Sequence, residues 1–451
     1  MTNRWKLIAG VLDAGMSSLA TLAMGVYAVR FFDPAMLGGY ALVFSAFLLV
    51  SLVPRELVFV PAEVAAVLAP RSARIGLLPN TFRVGLLPSL VAGLLTAVWI
   101  LGAPPEIPPS AVLSLTLTGI ACAFLSPIQD HVRRMFHIGA ESWKAVGVSV
   151  VQLLGMATAL GVMMYLEVPT EWVPFGALAL ANLLSLIAAG GFYQFHSGID
   201  PGGNKLPAMM ELLRTGWLLL LGAVLAPAAA FLSAVIVARL AGAAALGYAE
   251  AARVIARPLP VLANGLAAVV RPESIEAAQT NDPTIARNAS RLYLKLFSWA
   301  GLLYIALVGF ETSWNPLTSM LPNAYVVAGL VAVTVVGEIL SVIQLPYRYE
   351  LVGGGRGLEL SQVEGVGAAA RLGTAATAGV SGPFAMPLGY VAVAAVRAVG
   401  YRRVLRDVYS DSRRTAIPTS SDQADTTSEA SLDVDGVEET AAPRDGVRET
   451  C

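Results

Sequence analysis

The amino-acid sequence predicts an all-α integral membrane protein of about twelve transmembrane helices in two pseudo-symmetric six-helix lobes. Of its 451 residues 56% are hydrophobic and only 14% charged, and the mean hydropathy is +0.67; a soluble domain carries roughly 25% charged residues. Apolar runs long enough to cross about 30 Å of hydrocarbon recur along the chain. A phrase near the start, AVRFFDPAMLGGYA (28–41), returns as IVARLAGAAALGYA (236–249), with Arg239 following Arg30 by 209 positions.

With about 20 apolar residues per crossing, spans fall near 7–29, 38–62, 84–102, 110–130, 145–166, 174–195, 216–238, 245–270, 291–310, 325–346, 360–380 and 384–400. The first run follows Arg4 and Lys6 as a signal peptide would. Asp13 interrupts it, however, and it continues to Val29, so it reads as a retained helix. The eleventh span is diluted by Glu364, Arg371 and many small residues, which suits a helix packed on neighbours more than one facing lipid.

Loop charge alternates. The connections 102–110, 166–174, 310–323 and 380–384 contain no Lys or Arg, while the intervening ones are basic, for example Arg71, Arg74 and Arg83, or Arg402, Arg403 and Arg406. Under the positive-inside rule the basic loops and both termini face the cytoplasm, in a cell (inner or plasma) membrane. Only Arg30 and Arg239 lie on the outer side. An even number of spans separates them, so the repeated phrase marks the same corner of two parallel lobes. The expected organisation is an N-terminal lobe over 1–200, a C-terminal lobe over 201–409 and a tail over 410–451. The tail is acidic and polar and too poor in apolar residues to fold.

Cys122 and Cys451 supply no disulfide framework, and His131, His137 and His196 fit no metal spacing. No metal or other cofactor and no nucleic-acid partner is expected. Charges within spans carry most of the functional information, because each costs about 2.5–3.5 kcal/mol at a helix centre. Glu250, Arg257, Asn264 and Arg271 recur every seven residues in the eighth span, with Arg253 one turn from both Glu250 and Arg257. They form one polar stripe. Arg257 lies roughly 15 Å from the span's start, near the midplane, and Pro258 and Pro260 loosen the helix beside it. The stripe either lines a cavity or is neutralised within itself and by another helix; the expense of a central arginine favours the cavity.

Arg55, in SLVPRELVFVPAEV, either faces that cavity or snorkels to the interface. Asp13, on one stripe with Ser17 and Thr21, is an ion-coupling carboxylate or a partner for an arginine of the opposite lobe, and Glu338 and Glu250 offer similar choices. Arg30 and Arg239 are outer-mouth candidates or headgroup anchors. A guanidinium forks onto phosphate or carboxylate oxygens, so arginines from several helices suit an anionic, diphosphate-bearing substrate. A transporter uses all these features. A membrane-embedded glycan polymerase or ligase would need reacting groups on a sizeable outer loop, and no nucleophile–His–acid cluster or nucleotide-binding motif is present. A cationic-drug antiporter would favour a carboxylate-lined cavity, which Asp13 and Glu250 keep open.

The phrases AVRFFDPAMLGGYALV and VARLAGAAALGYAEAARVIARPLPVLANGLAAVVRPE, with LSPIQDHVRRMFHIGAESWKAVGVSVVQ, resemble helix regions of polysaccharide flippases. Those are O-antigen-type transporters of the multidrug/oligosaccharidyl-lipid/polysaccharide (MOP) exporter superfamily. The resemblance implies two lobes around a central cavity open alternately to each side. It implies export of a polyprenyl-diphosphate-linked glycan to the outer leaflet, with membrane lipid and polysaccharide polymerase or assembly proteins as partners. By position it assigns the diphosphate to Arg55, Arg253 and Arg257, while Asp13 stands where a lipid-linked peptidoglycan-precursor flippase would carry a central arginine.

Overall fold

The computed structural model describes residues 3–70, 74–102, 107, 109–194, 209–280, 282–309 and 321–415. The described residues are helical almost throughout, and ten of their helices are long and apolar enough to cross a membrane. We number them α1 (Asn3–Phe31), α2 (Pro34–Val50), α3 (Val60–Leu68), α4 (Leu78–Leu101), α5 (Pro109–Ile138), α6 (Ser142–Tyr165), α7 (Val173–Gln194) and α8 (Met209–Ala241). The second half comprises α9 (Ala243–Ala256), α10 (Pro258–Gln279), α11 (Pro283–Gly309), α12 (Leu330–Val342), α13 (Leu345–Gly353), α14 (Gly357–Ala376) and α15 (Ala385–Thr415). The expected eighth and eleventh spans are helical too, as α9–α10 and α14, but their charges set them apart from the ten.

Residues up to Tyr409 form one compact unit. The expected lobe boundary at 200/201 and the tail beyond 415 lie outside the described residues. Helix α15 runs on to Thr415, past the expected start of the tail at 410; no proline or glycine interrupts that stretch before Pro418.

Within the first half α4 packs on α5, α6 on α7 and α1 on α6; within the second, α10 packs on α11 and α13, and α14 on α8. Several contacts join the halves. Helix α2 packs on α8, burying Leu42, Ala234 and Val237 in an apolar cluster with Leu246 of α9. Helix α2 also packs on α9, and there the two copies of the repeated phrase meet. A methyl group on Gly38 would lie 1.9 Å from the Ala243 carbonyl oxygen, and one on Gly247 only 2.0 Å from the Pro34 carbonyl oxygen. Each contact maps onto the other by the same offset of 209 positions, so this is the pseudo-two-fold axis made visible. The repeated phrase is one symmetric contact between the halves, not two separate corners.

The Tyr325 hydroxyl donates to the Phe32 carbonyl oxygen (2.7 Å) and packs edge-on against Tyr248, closing the same end. Arg30 and Arg239 stand here, exposed in the last turns of α1 and α9's predecessor α8, where a cation complements the helix dipole. At the opposite end His137 reaches Asp13, and Arg74 donates to the carbonyl oxygens of Ala69 and Ile138.

Between α2 and α3 the chain makes a π-helical turn, Arg55–Phe59. Pro61 has no N–H to offer the Leu57 carbonyl four residues earlier, so the ladder must widen. Gly216 of α8 takes up the space beside it: a β-carbon there would sit 2.2 Å from the Leu57 carbonyl oxygen.

Candidate substrate-binding site

The second-half site is built at the break between α9 and α10. Arg257 ends α9 and begins α10, with Pro258 as the first residue of the new helix, as the flanking prolines predict. Its guanidinium does not hang free in a cavity. Nη2 donates to Glu250 Oε1 at 2.6 Å, Nη1 donates to the Thr21 carbonyl oxygen of α1 at 3.1 Å, and the group lies 5.0 Å over the Phe44 ring of α2. Only 15% of the side chain is exposed. Both readings of the stripe therefore hold in part: Arg257 borders a cavity, yet its charge is met by Glu250 and its donors tie α9–α10 to the other half.

Gly25 makes that strap possible, since a β-carbon there would fall 2.7 Å from Arg257 Nη1. The obstructing atom is the far end of a flexible side chain, so Gly25→Ala is expected to cost about 1–2 kcal/mol. Thermal melting in detergent checks this, and an unchanged melt would mean that the strap yields freely.

Glu250, with 5% of its side chain exposed, also accepts from Arg253 Nη1 at 3.2 Å. Arg253 is the more open of the two arginines, at 28%. A cavity of about 660 Å³ lies between α1 and the α9–α10 break, lined by Arg253, Arg257, Glu338, Tyr390, Pro258 and the α1 face carrying Gly15, Ser18 and Thr21. Its walls are mostly apolar. Glu338, buried on α12, stands within electrostatic reach of Arg253 and Arg371, and Arg371 in turn stacks 4.6 Å over Tyr390. Two arginines and one glutamate thus border the cavity among the described residues.

Arg55 is not brought to this cavity. It lies on the π-helical turn with 46% of its side chain exposed, beside Glu56 at 3.3 Å, and borders a second cavity of about 210 Å³ with Asp130, His131 and Arg134. Thr21 borders both cavities, so α1 stands between them and keeps Arg55 apart from Arg253 and Arg257.

Asp13 is buried against its own half, not the opposite one. It accepts from Ser149 (2.5 Å) and His137 (3.0 Å), and Arg133 Nε lies 3.5 Å away. Its arginine partner thus comes from α5 of the same half. Glu364, the oddity of the eleventh span, accepts from Arg397 (2.6 Å) and from Tyr401, which explains why an ionic residue is tolerated there. Arg30 and Arg239, at helix ends, are not among the residues that line either cavity.

Several groups beyond the charged stripe also build the site. His131, wholly buried, donates or accepts at Glu63 (2.9 Å) and Thr81 (2.8 Å) and stacks on Phe59. Gln129, Gln152 and Asn182 line the first-half cavity. A sequence signal for the last three exists, since amides inside apolar spans are expensive unless satisfied.

No protein-family model and no curated protein matches the sequence. Among solved structures, the chain is similar to an inward-facing multidrug resistance MATE family transporter of the MOP superfamily. The TM-score is 0.70 at 15% identity, over 89% of this chain and 96% of that one. An outward-facing structure of such a MATE transporter gives a TM-score of 0.60, also at 15% identity, over 91% and 97% of the two chains. A MOP superfamily transporter from Pyrococcus furiosus, whose reverse polarity of binding pocket suggests a different function, gives 0.59 at 15% identity, over 90% and 94%. The chain has the MATE transporter fold.

Proposed function

We propose that the protein is a flippase that carries a polyprenyl-diphosphate-linked oligosaccharide from the cytoplasmic to the outer leaflet of the cell membrane by alternating access. Its termini face the cytoplasm, and it serves cell-surface polysaccharide assembly. The observation that carries this reading is Arg253, whose side chain lines a large, mostly apolar cavity with Arg257 beside it. An apolar cavity bordered by two arginines suits an amphipathic anion, whose diphosphate meets Arg253 while its apolar portion lies along the walls. Arg257 supports that contact by fixing α9–α10 against α1. Arg55, in the smaller cavity, is left to another part of the substrate.

A second reading, an ion-coupled multidrug antiporter, draws on Glu338 and the apolar walls of the same cavity. Lipid-extract mass spectrometry separates the two. A strain lacking the protein should accumulate polyprenyl-diphosphate glycans, and wild type should clear them. Arg253→Ala removes a charge-assisted contact worth about 1.5–3 kcal/mol, so clearance should slow by about tenfold or more. Normal lipid-linked glycans in the deletion strain, with no other exporter present, together with heightened sensitivity to cationic drugs, would replace the flippase with the antiporter.

A further inference from the structure

We propose that Tyr390 is a further substrate-binding residue of the large cavity, whose hydroxyl donates to the diphosphate beside Arg253, and that Arg371 positions it from behind. The inference rests on the flippase reading and deepens it, adding residues of α14 and α15 to the site.

Tyr390 lines the cavity together with Arg253 and Glu338. The residue is 9% exposed, and its hydroxyl makes no hydrogen bond among the described residues. Unlike the Tyr40 hydroxyl, which is sealed in the packing without a partner, the Tyr390 oxygen keeps accessible surface. A phenol donor thus stands on the cavity wall within electrostatic reach of Arg253. A phenylalanine would fill the same volume, so packing alone does not account for the hydroxyl.

The ring is fixed from two other helices. The Arg371 guanidinium of α14 lies 4.6 Å over it. The stem of Arg371 packs on α15 at Gly389, where a β-carbon would lie 3.3 Å from Arg371 Cγ, and α12 closes in at Gly337, where one would lie 3.1 Å from Tyr390 Cβ. A donor held in this way loses little freedom on binding. The cation on the ring face also draws electron density from the phenol and strengthens its O–H as a donor. Arg371 itself forms no ion pair among the described residues, and its Nε is buried without a hydrogen-bond partner.

Charge decides the class of ligand. Arg253 and Arg257 are matched in number by Glu250 and Glu338, so those four groups together carry no net charge. Arg371, within electrostatic reach of Glu338, supplies the positive charge left over. An organic cation would meet that surplus, and Arg371 already occupies one face of the ring it would seek. A diphosphate ester brings negative charge and several acceptor oxygens, so it can accept from the Arg253 guanidinium and the Tyr390 hydroxyl at once.

The test is Tyr390→Phe, which keeps the ring and its stack on Arg371 and removes no hydrogen bond made among the described residues. Purified full-length protein in detergent is titrated with farnesyl diphosphate, and with farnesol as the uncharged control, with binding read by native mass spectrometry. Tyr390→Phe should bind the diphosphate about tenfold more weakly than wild type, with farnesol binding and the melting temperature unchanged. Arg371→Gln should weaken the diphosphate likewise, and Arg371→Lys, which keeps the charge, should restore much of its binding.

Diphosphate binding by Tyr390→Phe as tight as wild type's, with Arg253→Ala weakened, would overturn the Tyr390 assignment and leave the flippase reading standing. Equal losses of diphosphate and farnesol in Tyr390→Phe would overturn it too, because the hydroxyl would then serve the shape of the cavity. An Arg371→Lys variant as weak as Arg371→Gln would remove Arg371 from the proposal. Wild type that binds the diphosphate no better than farnesol would fail the flippase reading and the proposal with it.

Discussion

Gly38→Val and Gly247→Val are expected to insert normally and to transport almost nothing. Each glycine lets one half's backbone touch the other's, and a β-carbon at either would lie about 2 Å from a carbonyl oxygen. Neither obstructing group is a side-chain tip that can swing aside; both belong to helix backbone. Overpacking of this kind costs about 1–3 kcal/mol or more, and the cost falls only on the state in which this end is closed. Every 1.4 kcal/mol shifts the equilibrium about tenfold, so each variant should populate the state open at this end. Cysteine placed at Ser18, on the wall of the large cavity, reports it. A membrane-impermeant maleimide added from outside should label the valine variants and spare wild type. Gly161→Val, at an exposed glycine with nothing within 4 Å, is the matched control and should transport normally. Transport by Gly38→Val at the control's rate would show that this contact does not gate the cycle.

Glu250→Gln is the second large effect, and it should appear in stability first. Glu250 is the one carboxylate in direct contact with both cavity arginines, at 3.2 Å from Arg253 and 2.6 Å from Arg257. Removing its charge leaves Arg257 without its ion partner in a largely buried place, and Arg253 with only Glu338 within electrostatic reach. Breaking a buried pair in this way typically costs about 3–5 kcal/mol. The melting temperature in detergent should fall accordingly, and transport with it. Adding Arg257→Gln should restore part of the loss, because the two sites share one interaction and their effects do not add. Glu338→Gln, at a carboxylate with no ion pair of its own among the described residues, should melt closer to wild type. A Glu250→Gln melt indistinguishable from wild type would mean that the pair contributes little and that Arg257 is held by Thr21 and Phe44 alone.

Much of this architecture is legible in residue order because its causes are local. A span is a length of apolar residues, and its side of the membrane follows from the charges at its ends. The break at Arg257 follows from the two prolines beside it, and the widened turn after Arg55 from Pro54 and Pro61. The seven-residue spacing of Glu250 and Arg257 places them two turns apart on one face, and they do bond.

The partners that decide the site's chemistry are not local. Arg257 donates to a main-chain carbonyl at Thr21, and a carbonyl has the same chemistry at every position, so no residue type announces it. Asp13 could have met an arginine of either half; the packing of the first half gave it Arg133 and His137 of α5 and Ser149 of α6. The family resemblance groups Arg55 with Arg253 and Arg257, and the fold places them at two different cavities.

The sequence alone determined the helices, their alternation and the repeat, because hydrophobicity, charge and proline act within a turn or two of themselves. Only the tertiary structure decided that the two copies of the repeat touch and which arginines border which cavity. Those are properties of surfaces brought together from distant parts of the chain, and close packing sets them to within a fraction of an atom's width.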